Sequence, residues 1–245
     1  MHSRLTPRHL LAARPTDPFV RWRVDPEETL AVAVDGDHVG WTRRSESGTE
    51  LWGTALGGDP ARVARLIERL DAVAALDGVT VPDRAFTALP ARLTSPSPGH
   101  WSPWFIEPEH VPRDPSAAVD LDPHDPRIDV VLAHSWSAEA FAGDPRVHRW
   151  AGVVEGDRVL AVAAERRRSN GAAHLVSVCT IPEVRGRGLA GRACLRLMQR
   201  ACADGVPVIY LEMYAANESG RRTYGKLGFS EAGTYRSGLL HPDRS

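Results

Sequence analysis

Lysine is almost missing from this chain. Lys226 is the single lysine among 30 basic residues, and the others are arginine. Because 31 acidic residues balance them, the formal net charge is only −1. That argues against a dedicated nucleic-acid binder, which needs a basic excess to displace counterions. Cysteine is scarce as well. Cys179, Cys194 and Cys202 are odd in number and not closely paired, so neither a disulfide framework nor a zinc site is indicated. A reducing cytoplasm is the expected compartment. No run of residues approaches the roughly 18 apolar positions needed to span a membrane. The N-terminal stretch holds arginines and prolines but no apolar core of signal-peptide length. No membrane and no nucleic-acid partner are expected.

What is present suits a globular protein. The 245 residues are 42% hydrophobic, enough for one large domain or two small ones. The chain is organised around Val178-Cys179-Thr180-Ile181-Pro182-Glu183-Val184-Arg185-Gly186-Arg187-Gly188-Leu189-Ala190-Gly191. His174 to Thr180 is short, apolar and rich in β-branched residues, as a buried strand should be. Pro182 stops it. From Leu189 to Ala203 the period changes. Ala190, Ala193, Cys194, Leu197, Met198 and Ala201 fall on one helical face, and Arg192, Arg196 and Arg200 on another.

A strand, a glycine turn and a helix start in this order form a seat for an anion. The first helical amides have no intrahelical partner, and the helix dipole adds positive charge there. Glycines remove the Cβ atoms that would hold the anion off. The Gly-Lys-Ser/Thr ending of a nucleotide P-loop is absent. Gly186, Gly188 and Gly191 meet the spacing of the dinucleotide fingerprint. However, the nearest acid about 20 residues on, Asp204, lies in a helix–strand turn and not at a strand end.

The run Arg185-Gly186-Arg187-Gly188-Leu189-Ala190 fits Arg-x-x-Gly-x-Ala. It resembles the acyl-CoA pyrophosphate loop of the GNAT superfamily of N-acyltransferases. A strand, Val208 to Tyr214, follows the helix. Then comes Asn217 to Phe229, which is similar to that family's Asn-to-Tyr-x-x-x-Gly-Phe ending. The ordered set spans residues 174 to 229, about a quarter of the chain.

The resemblance implies an α+β fold (three-layer α/β) with a mixed, twisted sheet flanked by helices. It also implies an acetyl-CoA-dependent transfer of an acetyl group to an amine. Acetyl-CoA would be the acyl-donor substrate, with no metal. Gly186, Arg187, Gly188, Leu189, Ala190 and Gly191 would face its pyrophosphate, with Arg185 adding charge. The backbone around Val178, Cys179 and Thr180 would run beside the pantetheine arm. Asn217 would cap the last helix and touch the coenzyme.

Tyr224 stands where the family often places its general acid, which would protonate the leaving thiolate. Two residues compete as the base. His174 shares a face with Val176, Val178 and Thr180 by the period of two, and histidine is the residue type whose charge ordinarily changes near neutral pH. Glu212 lies on the next strand and could act directly or through water. Cys179 is expected on the face opposite Val178, so no acyl-cysteine route is indicated. Each residue also has a plainer explanation: glycines for a tight turn, Asn217 as a cap alone, Tyr224 and His174 as packing groups.

The first half repeats the order of elements. Thr29 to Val34 and His38 to Thr42 flank the turn Asp35-Gly36-Asp37, and Glu50 to Leu56 is a third strand. Gly57-Gly58-Asp59-Pro60 opens a helix whose apolar stripe is Val63, Leu66, Ile67, Leu70 and Val73. This matches hairpin, strand, glycine turn and helix in the second half and suggests a degenerate N-terminal copy in tandem. Asp59 replaces the arginines at the turn. A carboxylate there caps a helix but repels a pyrophosphate. A proline-dense stretch from Pro90 to about Pro126 excludes regular helix. Within it, His100 to Ile106 is too aromatic for a linker and is expected to pack as an edge strand or at a seam. Asp125 to Ala140 is expected to be helical. The boundary falls near 117: residues 1–117 form an accessory or degenerate domain and 118–245 the catalytic one. Monomer and homodimer both stay open, as does the amine. A non-catalytic acyl-CoA-binding module and an arginine-based nucleic-acid binder are the rival readings.

Overall fold

Prolines open the first helices, where a missing N–H costs nothing. The structure, a computed structural model, describes residues 5–45 and 48–240. Pro7 starts α1 (Pro7–Ala13) behind Thr6, and Pro18 starts α2 (Pro18–Arg23) behind Asp17, whose carboxylate accepts from the amides of Phe19 and Val20. There follow β1 (Thr29–Asp35), β2 (His38–Arg44), β3 (Leu51–Leu56), α3 (Pro60–Val73), β4 (Gly78–Pro82) and β5 (Gly99–Ile106). Next come β6 (Val119–Leu121), α4 (Arg127–Leu132), β7 (Val147–Glu155), β8 (Arg158–Arg167), β9 (Ala173–Thr180) and α5 (Leu189–Ala203). The chain then forms β10 (Ile209–Tyr214), α6 (Glu218–Lys226), β11 (Ser230–Glu231) and β12 (Tyr235–Leu239). Helix α4 is shorter than the segment expected from Asp125 to Ala140, because residues 133–146 are irregular apart from turns.

Two compact units divide this chain. One holds Met1–Ser102, Tyr214–Ala216 and Ala232–Ser245, and the other Pro103–Met213 and Asn217–Glu231. The sequence placed a boundary near 117, in the proline-dense stretch. Strand pairing divides the chain elsewhere. β12 pairs antiparallel with β4 along Tyr235↔Pro82 to Leu239↔Gly78, and with Trp101, His100 and Gly99 of β5. Long-range ladder bonds thus claim residues that composition assigned to the other half.

In the first unit β1 and β2 form the expected hairpin, with Gly36 at φ 62 in the turn. β3 runs parallel to β4, joined through α3. Val63, Leu66, Ile67 and Leu70 of α3 pack with Ala55, Val79 and Val81. Leu10, Phe19, Val20, Val39, Trp41 and Tyr235 form a second cluster. Each fully buried side chain of this kind contributes about 1.5–3 kcal/mol.

In the second unit β7, β8 and β9 are antiparallel neighbours, and β10 is parallel to β9. Trp104 and Phe105 of β5 pair with Glu231 and Ser230 of β11. The aromatic segment is therefore not an edge in this unit, since β5 also lies beside β10. The apolar stripe of α5, with Ala193, Cys194, Leu197, Met198 and Ala201, packs on Leu175, Ile209 and Leu211. Ile128, Val131 and Leu132 of α4 pack on Trp150, Val162, Val176 and Cys179. Period-two alternation sends these two sets to opposite faces of the sheet.

Candidate active site

The site is built where β9 and β10 part. Their parallel register covers Ile209↔Ala173, Tyr210↔His174 and Leu211↔Leu175, while β9 continues to Thr180 and β10 to Tyr214. Beyond Leu175 the paired register has ended, so the two strands leave a wedge lined by backbone groups. Such an edge can take an extended ligand as an added strand.

A bulge lies in that stretch of β9. Val176 faces Ala164 and Cys179 faces Val162, so Ser177 and Val178 together oppose Ala163. One extra residue shifts the alternation. Val176 and Cys179 pack with α4, whereas Val178 packs with Leu175 on the α5 side. This corrects the expectation that His174, Val176, Val178 and Thr180 share one face. Cys179 does lie opposite Val178. Its thiol donates to the carbonyl of Val131 at 3.3 Å, and burial pushes its pKa up.

After β9 the chain turns through Pro182–Val184 and reaches α5. Gly186 has φ 80 and Gly188, the N-cap, φ 75. These left-handed values favour glycine. A Cβ at either position would meet nothing within 4 Å, so the space before the helix is open. No side chain caps α5, and its first turn holds no acid. The first intrahelical bond there is from Arg192 N–H to the Gly188 carbonyl. The amides of Leu189, Ala190 and Gly191 therefore precede the first partnered one. Leu189 is buried by its side chain, and Gly191 lets Thr223 of α6 approach to 3.5 Å of where its Cβ would be.

The two arginines of the turn behave differently. Arg187 is exposed. Arg185 folds back: its guanidinium donates to the carbonyls of Thr180 at 3.1 Å and His134 at 3.2 Å. It thus ties the turn to the segment after α4.

The first unit presents the opposite arrangement at its strand–helix turn. The Asp59 carboxylate accepts from the amides of Ala61 and Arg62 at the start of α3. The His38 ring is buried against the turn, and a Cβ on Gly57 would lie 2.0 Å from it. His38 Nε2 accepts from the Asp59 amide at 2.9 Å, while Asp37 holds Nδ1 at 2.7 Å. The helix dipole there is already satisfied by the protein's own carboxylate.

His174 is buried and stacks on Tyr210, with ring centroids 4.3 Å apart and planes 5° from parallel. Tyr210 in turn stacks on Phe105 and accepts a hydrogen bond from Arg168 at 2.8 Å. Glu212 stands two residues further along β10. Leu211 and Met213 point into the α5 core, so Glu212 takes the other face, half-buried and one residue beyond the register that β10 shares with β9. Sequence reasoning missed the aromatic row of Phe105, Tyr210 and His174. Its only signal was the density of rings in His100 to Ile106.

Asn217 caps α6, accepting from the Gly220 amide at 2.9 Å. A Cβ on Gly220 would lie 2.7 Å from Asn217 Nδ2 and 2.8 Å from Met213 Sδ, so glycine is needed there for packing. Helix α6 ends with Gly228 at φ 93 and the Phe229 amide bonded to the Tyr224 carbonyl, a Schellman closure. The Tyr224 side chain is buried in the α5 core, edge-on to Phe229 at 6.0 Å. Burial pushes its pKa well above the ordinary phenol value, and the Cys194 thiol adds to this. The phenol is therefore protonated throughout the neutral range. Among the described residues, one group with metal-ligand chemistry lies close together: Glu107, Glu109 and His110, all exposed.

Residues 106–229, just over half of the chain, match the acetyltransferase (GNAT) family. No curated protein sequence matches. A solved structure of the GNAT family from Novosphingobium aromaticivorans is 25% identical, with a TM-score of 0.55 over 85% of this chain and 89% of that one. A GCN5-related N-acetyltransferase from Kribbella flavida is 17% identical, with a TM-score of 0.52 over 97% and 96%. One from Sphaerobacter thermophilus is 14% identical, with a TM-score of 0.54 over 98% and 95%. The last two are likenesses of fold.

Proposed function

The chain belongs to the acetyltransferase (GNAT) family, and from that premise we propose that its second unit moves an acetyl group from acetyl-CoA to an amine. The amine attacks directly, in a ternary complex. The observation that carries this reading is the open, uncapped start of α5 behind Gly186 and Gly188. Backbone amides from Gly188 to Gly191, with Arg187, hold the pyrophosphate. Arg185 serves by shaping the turn. The pantetheine arm lies in the wedge between β9 and β10, beside the backbone of Val178, Cys179 and Thr180. Asn217, through the cap it makes, sets the far wall.

The chemistry needs one proton removed and one supplied. The nitrogen lone pair adds to the thioester carbonyl, the C–S bond breaks, and the thiolate leaves. Glu212 takes the amine proton, directly or through water; its place beyond the register shared with β9 supports it over His174, which is buried and stacked on Tyr210. Amides near Val178 stabilise the oxyanion. Tyr224 donates toward the departing sulfur. Its raised pKa favours a hydrogen bond to the thiolate over complete proton transfer, so the thiolate takes its proton from solvent after it departs.

The first unit is read as a second copy of the fold that holds no coenzyme. The shared order of hairpin, strand, helix and parallel strand supports this, as do Asp59 and His38 at its turn. Three unpaired cysteines support a cytoplasmic setting.

Calorimetry tests the reading. Gly188→Glu puts a carboxylate at the helix start and should abolish acetyl-CoA binding; unchanged affinity would remove the assignment. The burial of Tyr224 favours a second reading, an acyl-CoA-binding module without turnover. Acetyl-CoA consumption that is supported by an amine and lowered by Tyr224→Phe separates the first reading from the second.

A further inference from the structure

Ser177 is the only non-glycine residue at positive φ among the described residues, with φ 50. It sits at the bulge of β9, where the chain gains one residue against β8. A side chain in this region is strained and persists only where its surroundings over-determine it. The surroundings here are explicit. The Ser177 hydroxyl accepts from the amides of Glu139 at 3.0 Å and Ala140 at 2.8 Å, and it donates to the Ala140 carbonyl at 3.1 Å. One donor and two acceptors are the whole capacity of a hydroxyl.

The same segment is gripped from β8. Arg166, nearly buried and the register partner of His174, donates to the Glu139 carbonyl at 2.8 Å. At the other end Arg185 holds the His134 carbonyl at 3.2 Å. Residues 134–140 are thus fastened to β8, to the bulge and to the turn beyond β9.

We propose that Ser177 is a positioning residue for acyl transfer: its hydroxyl locks the β9 bulge to residues 139–140 and so sets which backbone groups face the wedge beside β10. Along a strand, successive residues present N–H and C=O to alternate edges. One inserted residue reverses that phase for everything after it. If the bulge relaxes, the groups of Val178 to Thr180 that face the wedge exchange with those that face β8. This role rests on the reading that acetyl-CoA lies along that edge, and it adds a cause for the edge's phase.

Two measurements on the full chain test it. Ser177→Ala keeps the left-handed cost and loses all three bonds. Ser177→Gly removes that cost and still loses the bonds, so it keeps the test alive if the alanine variant does not fold. Both should speed hydrogen exchange at the Glu139 and Ala140 amides about ten-fold or more. Both should also weaken acetyl-CoA binding by about ten-fold, the scale of one hydrogen bond. Gly188→Glu should abolish that binding while leaving exchange at residues 139–140 unchanged. Faster exchange with unaltered acetyl-CoA affinity would make the clamp merely structural and overturn the proposal. Unaltered exchange would show that the hydroxyl does not hold the segment. A wild-type protein that fails to bind acetyl-CoA would overturn the functional reading, and the positioning role with it.

Discussion

The ring of His174 lies flat on the ring of Tyr210, centroids 4.3 Å apart, while Glu212 stands one pleat further along the same face of β10. On the proposed reading the stacked, buried imidazole in the paired part of the sheet packs and does not take the proton. The half-buried carboxylate, beyond the register shared with β9, receives the proton of the amine on that same reading. Glu212→Gln should lower kcat by about ten-fold or more and flatten the acid side of the pH–rate profile. His174→Phe should keep both that limb and most of the rate. A profile that follows His174 instead would reverse the assignment.

Two glycines of α6 should respond with opposite sign. A Cβ on Gly225 meets nothing within 4 Å, so Gly225→Ala should stabilise by about 0.5–1 kcal/mol through helix propensity. A Cβ on Gly220 collides with Asn217 and Met213, so Gly220→Ala should cost about 1–3 kcal/mol. Urea midpoints measure both. Equal shifts would remove the packing role given to Gly220.

The first unit should not acquire a coenzyme seat by loss of its cap. Asp59→Ala should cost about 1 kcal/mol, the usual value of an N-cap. Acetyl-CoA stoichiometry should stay at one per chain by calorimetry. A second site appearing in this variant would show that the carboxylate alone keeps the anion out.

Acid stability should depend on Asp144. Its hydrogen bond to Arg146, at 2.7 Å, is the main reason that its pKa falls from 3.8 to about 2. A carboxyl lowered on folding stabilises the folded state above its unfolded pKa, and the benefit fades as pH falls through the folded value. The loss should therefore run from about pH 4 down to about pH 2. Asp144→Asn should flatten that part of a plot of urea midpoint against pH. An unchanged slope would mean that the pair survives unfolding or contributes nothing.

Local features of the site were legible in the sequence. The span of α5, Leu189–Ala203, follows from its 3.6-residue period and the glycines before it. Asn217 reads as a cap and Gly228 as a helix stop from residue type alone. The bulge was not legible, because Ser177 looks like any polar residue within a strand and one inserted position leaves no mark on composition. Neither was the arrest of Arg185 by the His134 carbonyl, which needs the path of a separate segment. The boundary near 117 rested on proline density, and the ladder between β4 and β12 joins residues more than 150 positions apart. Local chemistry cannot announce such a pairing.

That last ladder has a consequence for biosynthesis. The ribosome releases residues 1–102 first, yet their sheet stays one strand short until residues 235–239 have emerged. The earlier-made body must wait, half-finished, while the later-made one passes through the exit tunnel. A stalled or shortened transcript would leave β4 with a bare flank, a template for aggregation.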